Sequence, residues 1–192
     1  MSTVEIPVAE LQSSSAPVHY PTASSRLLLD LLRLSRSAES GAAGDPQAGL
    51  LEGVIARPVL RSLLSALRLR DVSTIQHVRR TALLATGLGR FMGWEGVPLR
   101  KLEIASLLHD IGKIGIPDHV LFKPGPLNPA EEELFALQHH VGMDVLQACR
   151  VHQEVLDIIY QSNPNYDNGV RNYTELNLGA RILAIADAYD SL

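Results

Sequence analysis

Residues 99–113, LRKLEIASLLHDIGK, form the stretch that decides the fold. At about 100° per residue, apolar side chains fall on two opposite sides of a helix, and such a helix is normally buried. His109, Asp110 and Lys113 nonetheless lie together at its C-terminal end, where Gly112 permits a helix stop. Buried charges need a partner, and a divalent cation is one that a histidine and a carboxylate can share. We expect this corner to be the chemical centre, although a His-Asp pair alone is more often a surface or hydrogen-bonded feature.

The composition is typical of a globular protein with one main domain. The chain has 192 residues, of which 46% are hydrophobic, and a formal net charge of -4 that argues against nucleic acid as the main partner. Its single cysteine, Cys149, excludes an internal disulfide and is interpreted as a small buried residue on a helix. Charges interrupt every apolar run before it reaches the length of a membrane span, and the N-terminus lacks a secretory signal pattern. A cytoplasmic location is therefore expected.

The first fifty residues predict an appendage to a compact body. Residues 1–23 are rich in Ser, Pro, Thr and Ala, which indicates a mobile arm or an extended strap. Residues 26–34, RLLLDLLRL, predict a short helix that needs a packing partner, as a docking or dimerising helix of a homodimer would. Residues 37–47 have the composition of a linker. We therefore divide the chain into an N-terminal arm, helix and linker at 1–49 and a helical domain at 50–192.

The body is predicted to begin with two helices. Residues 50–69 indicate the first, with Pro58 able to kink or divide it. Asp71 is a suitable N-cap for the second. His77 lies on the second helix beside its apolar stripe, and on its own it is better interpreted as a partly buried, hydrogen-bonded histidine than as a ligand. The predicted core stripe of the second helix is Ile75, Val78, Ala82, Ala85, Leu88 and Met92.

A further helix is predicted from Asn128, its N-cap, to about Arg150. On the helical wheel Gln138 points inward, whereas His139 and His140 point away from the apolar stripe. The two neighbouring histidines are therefore expected to face solvent. The residues expected to set the buried side are Leu134, Leu137, Val141 and Val145.

The chain closes with a polar loop and an apolar helix. The loop spans 161–177 and is dense in turn-forming residues, while residues 178–192, LGARILAIADAYDSL, are apolar almost all round. Asp187 lies within an apolar run, so it needs a cation, either a side chain such as Arg181 or a metal. The final helix has no C-terminal cap, which predicts that the domain is incomplete at its C-terminus. No strand alternation occurs, and the fold class is predicted to be all-α.

Two motifs carry a resemblance to a known family. LLHDIGKIGIPDHVLFKPGPL at 107–127, followed by a Glu-rich helix, and LGARILAIADAYDSL at 178–192 resemble the HD-GYP branch of the HD superfamily of metal-dependent phosphohydrolases. The similarity covers about residues 66–192. It implies an HD-domain helical bundle and a place in bacterial cyclic di-GMP signalling, because HD-GYP proteins hydrolyse that nucleotide.

The resemblance also implies a set of site residues. His77, His109, Asp110 and Asp187 stand where the superfamily has its basic metal ligands, and Asp110 would also orient the attacking water. Lys113 stands where the family has a lysine that contacts substrate phosphate. Two nitrogen and two carboxylate ligands suit Fe, Mn or Zn. The expected cofactor is thus a divalent transition metal, one ion at most.

The ligands that the family uses for further metals are missing from the matching positions. Gln138 replaces a histidine, and His139 could substitute for it only if the helix register shifted. Ser73 stands where a subset of the family has a glutamate for a third metal. Asp167 is retained, but the rest of the Gly-Tyr-Pro loop is not. The His-His-Glu run of the family aligns with Ser162, Asn163 and Pro164.

These observations leave three interpretations of the function. We expect a degenerate HD-GYP module, weakly active or inactive, that acts in regulation or binds a protein partner such as a GGDEF-type signalling protein. The alternative is an active metal-dependent hydrolase of cyclic di-GMP or another nucleotide phosphate, with Asp110 and Lys113 as its catalytic residues. The third is a buried polar cluster inside a metal-free bundle.

Overall fold

A computed structural model describes residues 53–163 and 177–192, and within these ranges the chain forms helices and no strand. The predicted all-α class is confirmed for this part of the chain. The predictions for 1–49, Pro164 and Asp167 lie outside the described residues. The α-helices are α1 (Arg57–Arg70), α2 (Val72–Phe91), α3 (Gly96–Leu108), α4 (Asp118–Leu121), α5 (Pro129–Ala136), α6 (Gln138–Ala148), α7 (Gln153–Ser162) and α8 (Leu178–Asp190), and a 3-10 turn, Ile111–Gly115, follows α3.

Helix α3 lies at the centre of the bundle, as its two apolar sides predict. Every residue from Lys101 to Leu108 is buried, and α3 packs against α1, α2, α7 and α8. The charged residues in this run have partners. Lys101 Nζ donates to Glu154 Oε1 of α7 at 2.7 Å, and Arg100 pairs with Glu103. The expected burial is therefore confirmed, with the charges neutralised locally.

The C-terminal end of α3 differs from the prediction. The helix ends at Leu108 instead of continuing to Lys113, and the chain then tightens into the 3-10 turn. Gly112 does not serve as a helix stop. A Cβ atom on Gly112 would lie 1.7 Å from the backbone oxygen of Gln138 and 2.7 Å from the backbone nitrogen of Gly142. The glycine is required because the backbone of α6 packs directly on the turn.

Helix α1 begins later than predicted. It starts at Arg57 instead of residue 50, with Pro58 in its first turn. Proline is well accommodated there because the first backbone N–H groups of a helix have no intrahelical acceptor. Pro58 therefore neither kinks nor divides a helix; the expectation of a helix through it is wrong.

Helix α2 agrees with its prediction except at its end. The Asp71 carboxylate accepts a hydrogen bond from the backbone N–H of Ser73 at 2.8 Å, which confirms the N-cap. Met92 is exposed because the helix ends at Phe91, so its place in the core stripe is wrong. Leu88 is partly buried. The buried members of the stripe are Ile75, Val78, Ala82 and Ala85.

Removing the α2 cap should lower the free energy of unfolding. In Asp71→Ala the carboxylate loses hydrogen bonds from the Ser73 backbone and from the hydroxyls of Ser73 and Thr74. We expect a loss of about 1–2 kcal/mol in urea unfolding. Ser73→Ala keeps the backbone hydrogen bond and should cost less; equal losses in the two variants would show that the cap is not the cause.

The helix predicted from Asn128 to about Arg150 is two helices. Asn128 and Glu131 form a capping box, as predicted, but the helix is interrupted at Leu137 before α6 begins. Leu134 and Leu137 are 38% and 48% exposed, so they do not set a buried side. The interruption explains the error, because one helical wheel cannot describe two segments.

The last helix and the cysteine lie close to their predicted environments. Helix α8 ends at Asp190, where the backbone N–H of Ser191 donates to Asp187 O at 3.1 Å. The expectation that the helix continues to the last residue is therefore wrong. Cys149 follows α6 and packs, partly buried, against the core. In the part of the chain that the structure describes, no helix has both the length and the apolar character needed to cross a bilayer.

Candidate metal centre

Side chains from three elements converge between α2, the end of α3 and α8. His77 Nε2 lies 3.0 Å from Asp187 Oδ1, and His109 Nε2 lies 3.6 Å from the same oxygen. Asp110 Oδ2 is 3.8 Å from each of the two Nε2 atoms. The two imidazoles meet edge to face, with ring centroids 5.4 Å apart. The four residues expected to form the basic ligand set are thus brought together, while their role as ligands stays a prediction.

The spacing of the donor atoms suits a transition-metal ion. His77, His109 and Asp187 offer one ligand atom each, all within 4.8 Å of one another. Ligands at about 2.1 Å in tetrahedral or octahedral geometry are roughly 3.0–3.4 Å apart, so only small adjustments would be needed. Asp110 lies beside this group of three and is hydrogen-bonded to Lys113 at 2.6 Å. Three close protein ligands with a carboxylate nearby also resemble an open catalytic site more than a closed structural one.

The hydrogen bonds of the two histidines direct Nε2 toward this point. Nδ1 of His109 lies 2.8 Å from the carbonyl oxygen of Ser106, and only a protonated Nδ1 can donate there. Nδ1 of His77 lies 2.7 Å from Asp190 Oδ2. In a neutral imidazole this leaves Nε2 with its lone pair available. Nε2 of His109 is buried and, among the described residues, has no partner at hydrogen-bond distance; a metal ion would provide one.

The charges of the cluster stabilise one another. The hydrogen-bonded Asp187 carboxylate raises the pKa of His77. Burial opposes charging of His109, but Asp110 and Asp187 outweigh it and raise its pKa as well. Burial likewise opposes ionisation of Asp110, yet His109 and Lys113 hold its pKa below the usual range. The carboxylates therefore favour a positive charge at the position that a metal ion would take, and metal binding would release any proton held on Nε2.

Asp190, which completes the His77 environment, was not predicted as a site residue. Asp190 accepts from Nδ1 of His77 and receives two hydrogen bonds from Arg80, at 2.6 and 2.8 Å. Asp190 is one helical turn beyond Asp187 on α8, and Arg80 is one turn beyond His77 on α2. That spacing was the available signal, because i and i+3 residues share a helix face. The cation that Asp187 requires is accordingly supplied by histidines, whereas Arg181 is exposed.

Helix α6 brings two more polar residues near the centre. Gln138 points inward as predicted, and its buried Oε1 has no hydrogen-bond partner within residues 53–163 and 177–192. His140 is exposed as predicted, but His139 is half-buried, so the expectation that it faces solvent is wrong. Burial lowers the pKa of His139, and the charges acting on it include Asp110 and His109. His139 thus lies within electrostatic range of the cluster, although the helical wheel placed it on the solvent side.

Two further positions lack a ligand function in the described structure. The Ser73 hydroxyl donates to Asp71 within the α2 cap, so it belongs to the end of that helix. The Ser162 hydroxyl donates to the backbone oxygen of Ile159 at 2.9 Å.

The central buried helix is followed by a His-Asp pair, which meets a histidine from one neighbouring helix and an aspartate from another. This arrangement defines an HD-type helical domain. The HD domain family matches residues 74–192. The chain therefore belongs to the HD domain family. That family is metal-dependent, and the described residues include a His/Asp group that could hold an ion.

Curated relatives specify the branch. A cyclic di-GMP phosphodiesterase of Thermotoga maritima is 31% identical over 135 residues, covering 64% of this chain and 35% of that protein. The cyclic di-GMP phosphodiesterase response regulator RpfG of Xanthomonas campestris pv. campestris is 33% identical over 146 residues, covering 71% and 38%. A 3'3'-cGAMP-specific phosphodiesterase of Vibrio cholerae is 30% identical over 142 residues, covering 71% and 27%. The chain is thus HD-GYP-like, and spans about a quarter to two fifths of these relatives' length.

Proposed function

We propose that this chain is a cyclic dinucleotide signalling module whose HD centre holds one divalent metal, with hydrolysis no more than a slow activity. His77, His109 and Asp187 would ligate the ion, together with Asp110. The observation that carries the proposal is the convergence of two Nε2 atoms and one carboxylate oxygen, with both Nδ1 atoms already bonded to acceptors. A merely structural polar cluster would not require a buried Nε2 atom that makes no hydrogen bond to any described residue.

Neighbouring residues supply the means to bind a phosphate. Lys113 Nζ lies 2.6 Å from Asp110 Oδ2, and its side chain is partly exposed beside the cluster. A phosphate oxygen that reached this ammonium would be neutralised next to the metal ligands. A bound divalent ion would lower the pKa of a coordinated water and polarise the phosphoryl group. Asp110 would orient that water, because its carboxylate is the acceptor that faces both the cluster and Lys113.

The proposed single ion and slow turnover follow from the positions at which the HD-GYP family has its further metal ligands. Gln138 offers a neutral amide oxygen in place of an imidazole, and the Ser162 hydroxyl is engaged by the backbone of its own helix. Two-metal phosphodiester hydrolysis stabilises both the attacking and the leaving oxygen. Losing one ion would remove several kcal/mol of that stabilisation, a rate factor of roughly a thousand or more.

One observation favours a second candidate, an active two-metal phosphodiesterase. His139 is half-buried and within electrostatic range of Asp110 and Asp187, so an imidazole is available one residue beyond Gln138. If His139 replaces the missing ligand, the family activity would be retained. The metal stoichiometry distinguishes the two candidates.

The substrate class is taken from the relatives, whereas the protein partner and the homodimer are expectations from the sequence. Those proteins are named for cyclic di-GMP or for 3'3'-cGAMP, so a cyclic dinucleotide is the shared chemistry. Because the chain spans only part of their length, we propose the nucleotide, a GGDEF-type protein partner and a homodimer as hypotheses for this chain. A cytoplasmic location and a boundary at residues 49 and 50 also stay predictions.

The decisive experiment is metal analysis of the full chain, followed by turnover. Protein reconstituted separately with Fe²⁺, Mn²⁺ and Zn²⁺ should retain one ion per chain, and cyclic di-GMP hydrolysis should be slow or absent. Two ions per chain with turnover that vanishes in a His109→Ala, Asp110→Ala double variant would establish the active enzyme instead. No retained ion under any of these conditions would leave the metal-free polar cluster.

A further inference from the structure

Asp190 and Arg80 form a clamp on the ring of His77 that neither the family match nor the resemblance assigns. We propose that Asp190 is a positioning residue that fixes His77 in the tautomer and orientation in which Nε2 faces the metal, and that Arg80 holds Asp190 in place. The inference rests on the proposed metal centre, but the effect of Asp190 on the His77 tautomer can be tested without a metal.

The geometry of the clamp is close and directional. Asp190 Oδ2 is 2.7 Å from His77 Nδ1, and the Asp190 side chain is only 7% exposed. Arg80 Nε donates to Oδ1 at 2.6 Å and Nη2 donates to Oδ2 at 2.8 Å, which is the two-point geometry of a guanidinium on a carboxylate. Both carboxylate oxygens are therefore engaged.

The clamp resolves a competition for the His77 proton. A neutral imidazole has one N–H, and three carboxylates face this ring: Asp190 at Nδ1, and Asp187 and Asp110 at Nε2, 3.0 and 3.8 Å away. A proton held at Nε2 would block the lone pair that a metal needs. Asp190, whose carboxylate is held by Arg80 and cannot rotate away, gives a proton on Nδ1 a fixed acceptor and leaves Nε2 as the atom that can release its proton to a metal. When a metal binds, any Nε2 proton leaves to solvent and the Nδ1 proton remains with Asp190.

Arg80 also prevents Asp190 from becoming a ligand itself. Asp190 is one turn beyond Asp187 on α8, and an unrestrained carboxylate there could swing toward a cation. Because both of its oxygens are bonded to Arg80, Asp190 instead accepts a hydrogen bond from Nδ1 of His77, the ring nitrogen that is not the proposed ligand. Carboxylate–histidine–metal arrangements of this kind orient the ring and raise the basicity of the ligand nitrogen.

Metal affinity provides the first test, with Mn²⁺ or Co²⁺ alone as the probe. Calorimetric titration of the full chain should show an affinity about 10- to 100-fold lower in Asp190→Ala than in the unaltered protein, with a smaller loss in Asp190→Asn. Arg80→Gln should also bind more weakly. Arg79→Gln is the matched control, since Arg79 is the adjacent exposed arginine on α2, and its affinity should be unchanged.

The second test reads the tautomer directly in metal-free protein. Long-range ¹H–¹⁵N NMR spectra are recorded at a pH where the ring is neutral. They should show His77 protonated at Nδ1 in the unaltered protein, and a larger share of the Nε2-protonated tautomer in Asp190→Ala. The same tautomer and the same metal affinity in all variants would overturn the inference. If the unaltered chain binds no metal but the tautomer shifts as expected, the proposed function fails while the positioning role stands. If Asp190→Ala does not fold, the metal affinity and the tautomer are measured in Arg80→Gln and Asp190→Asn instead.

Discussion

Gly112→Ala should destabilise the domain by about 3 kcal/mol or more and disrupt the metal centre at the same time. A methyl group at Gly112 would meet the backbone oxygen of Gln138 at 1.7 Å. Clashes with flexible side chains typically cost 1–3 kcal/mol, but here the obstacle is the backbone of α6, which cannot rotate away. The turn or the whole helix must move, and Asp110 and Lys113 move with the turn. Urea unfolding and metal retention of the same preparation measure the two effects.

Gly87 supplies a matched control for this prediction. It is an exposed glycine within α2, and a Cβ atom there would meet no atom of the described chain within 4 Å. Gly87→Ala should therefore stabilise the protein by about 0.5–1 kcal/mol, because alanine is the better helix former. If Gly112→Ala is as stable as the unaltered protein, the tight contact between α6 and the turn does not exist in solution.

Asp187→Asn should abolish tight metal binding while leaving the fold nearly intact. The amide retains the shape of the side chain but loses the charge that faces His77 and His109. Zinc sites with about four ligands bind with roughly 10–16 kcal/mol, so one ligand contributes about 3 kcal/mol and its loss weakens binding more than about a hundredfold. The Asp187 side chain is 40% exposed, and α8 is held by buried neighbours such as Ile182 and Leu183.

Calorimetric titration with Mn²⁺ and circular dichroism on the same samples would check both parts of this prediction. Asp144→Asn is a suitable control, because Asp144 is an exposed carboxylate on α6 and its removal changes the net charge equally. Unchanged affinity in Asp187→Asn would remove that carboxylate from the ligand set. A collapse of the helical signal would instead assign Asp187 a structural role.

Features with a local cause could be predicted from the sequence. The burial of α3 follows from apolar residues on both of its sides, and the caps at Asp71 and Asn128 follow from side chains that bond their own helix ends. The inward direction of Gln138 also followed from helical periodicity. These predictions need only the residues within a few turns, which the sequence displays directly.

Features set by distant contacts could not be predicted in the same way. The 3-10 turn after α3 packs at Gly112 against the backbone of α6, and the partial burial of His139 depends on neighbours outside its own helix. Likewise, the bond between His77 and Asp190 joins residues 113 positions apart. Family motifs indicated which residues to consider, but tertiary packing decided which of them meet.

The residues of the candidate metal centre come from distant parts of the chain, so a bound ion would connect those parts. An ion bound by His77 and Asp187 would act as a reversible cross-link that closes a loop of about 110 residues. An ion that binds the folded domain and not the unfolded chain adds RT ln(1 + [M]/Kd) to the free energy of unfolding, about 2.7 kcal/mol at a metal concentration of 100 Kd. Chelation would remove that contribution, so the resistance of the domain to proteolysis would fall as the metal is withdrawn.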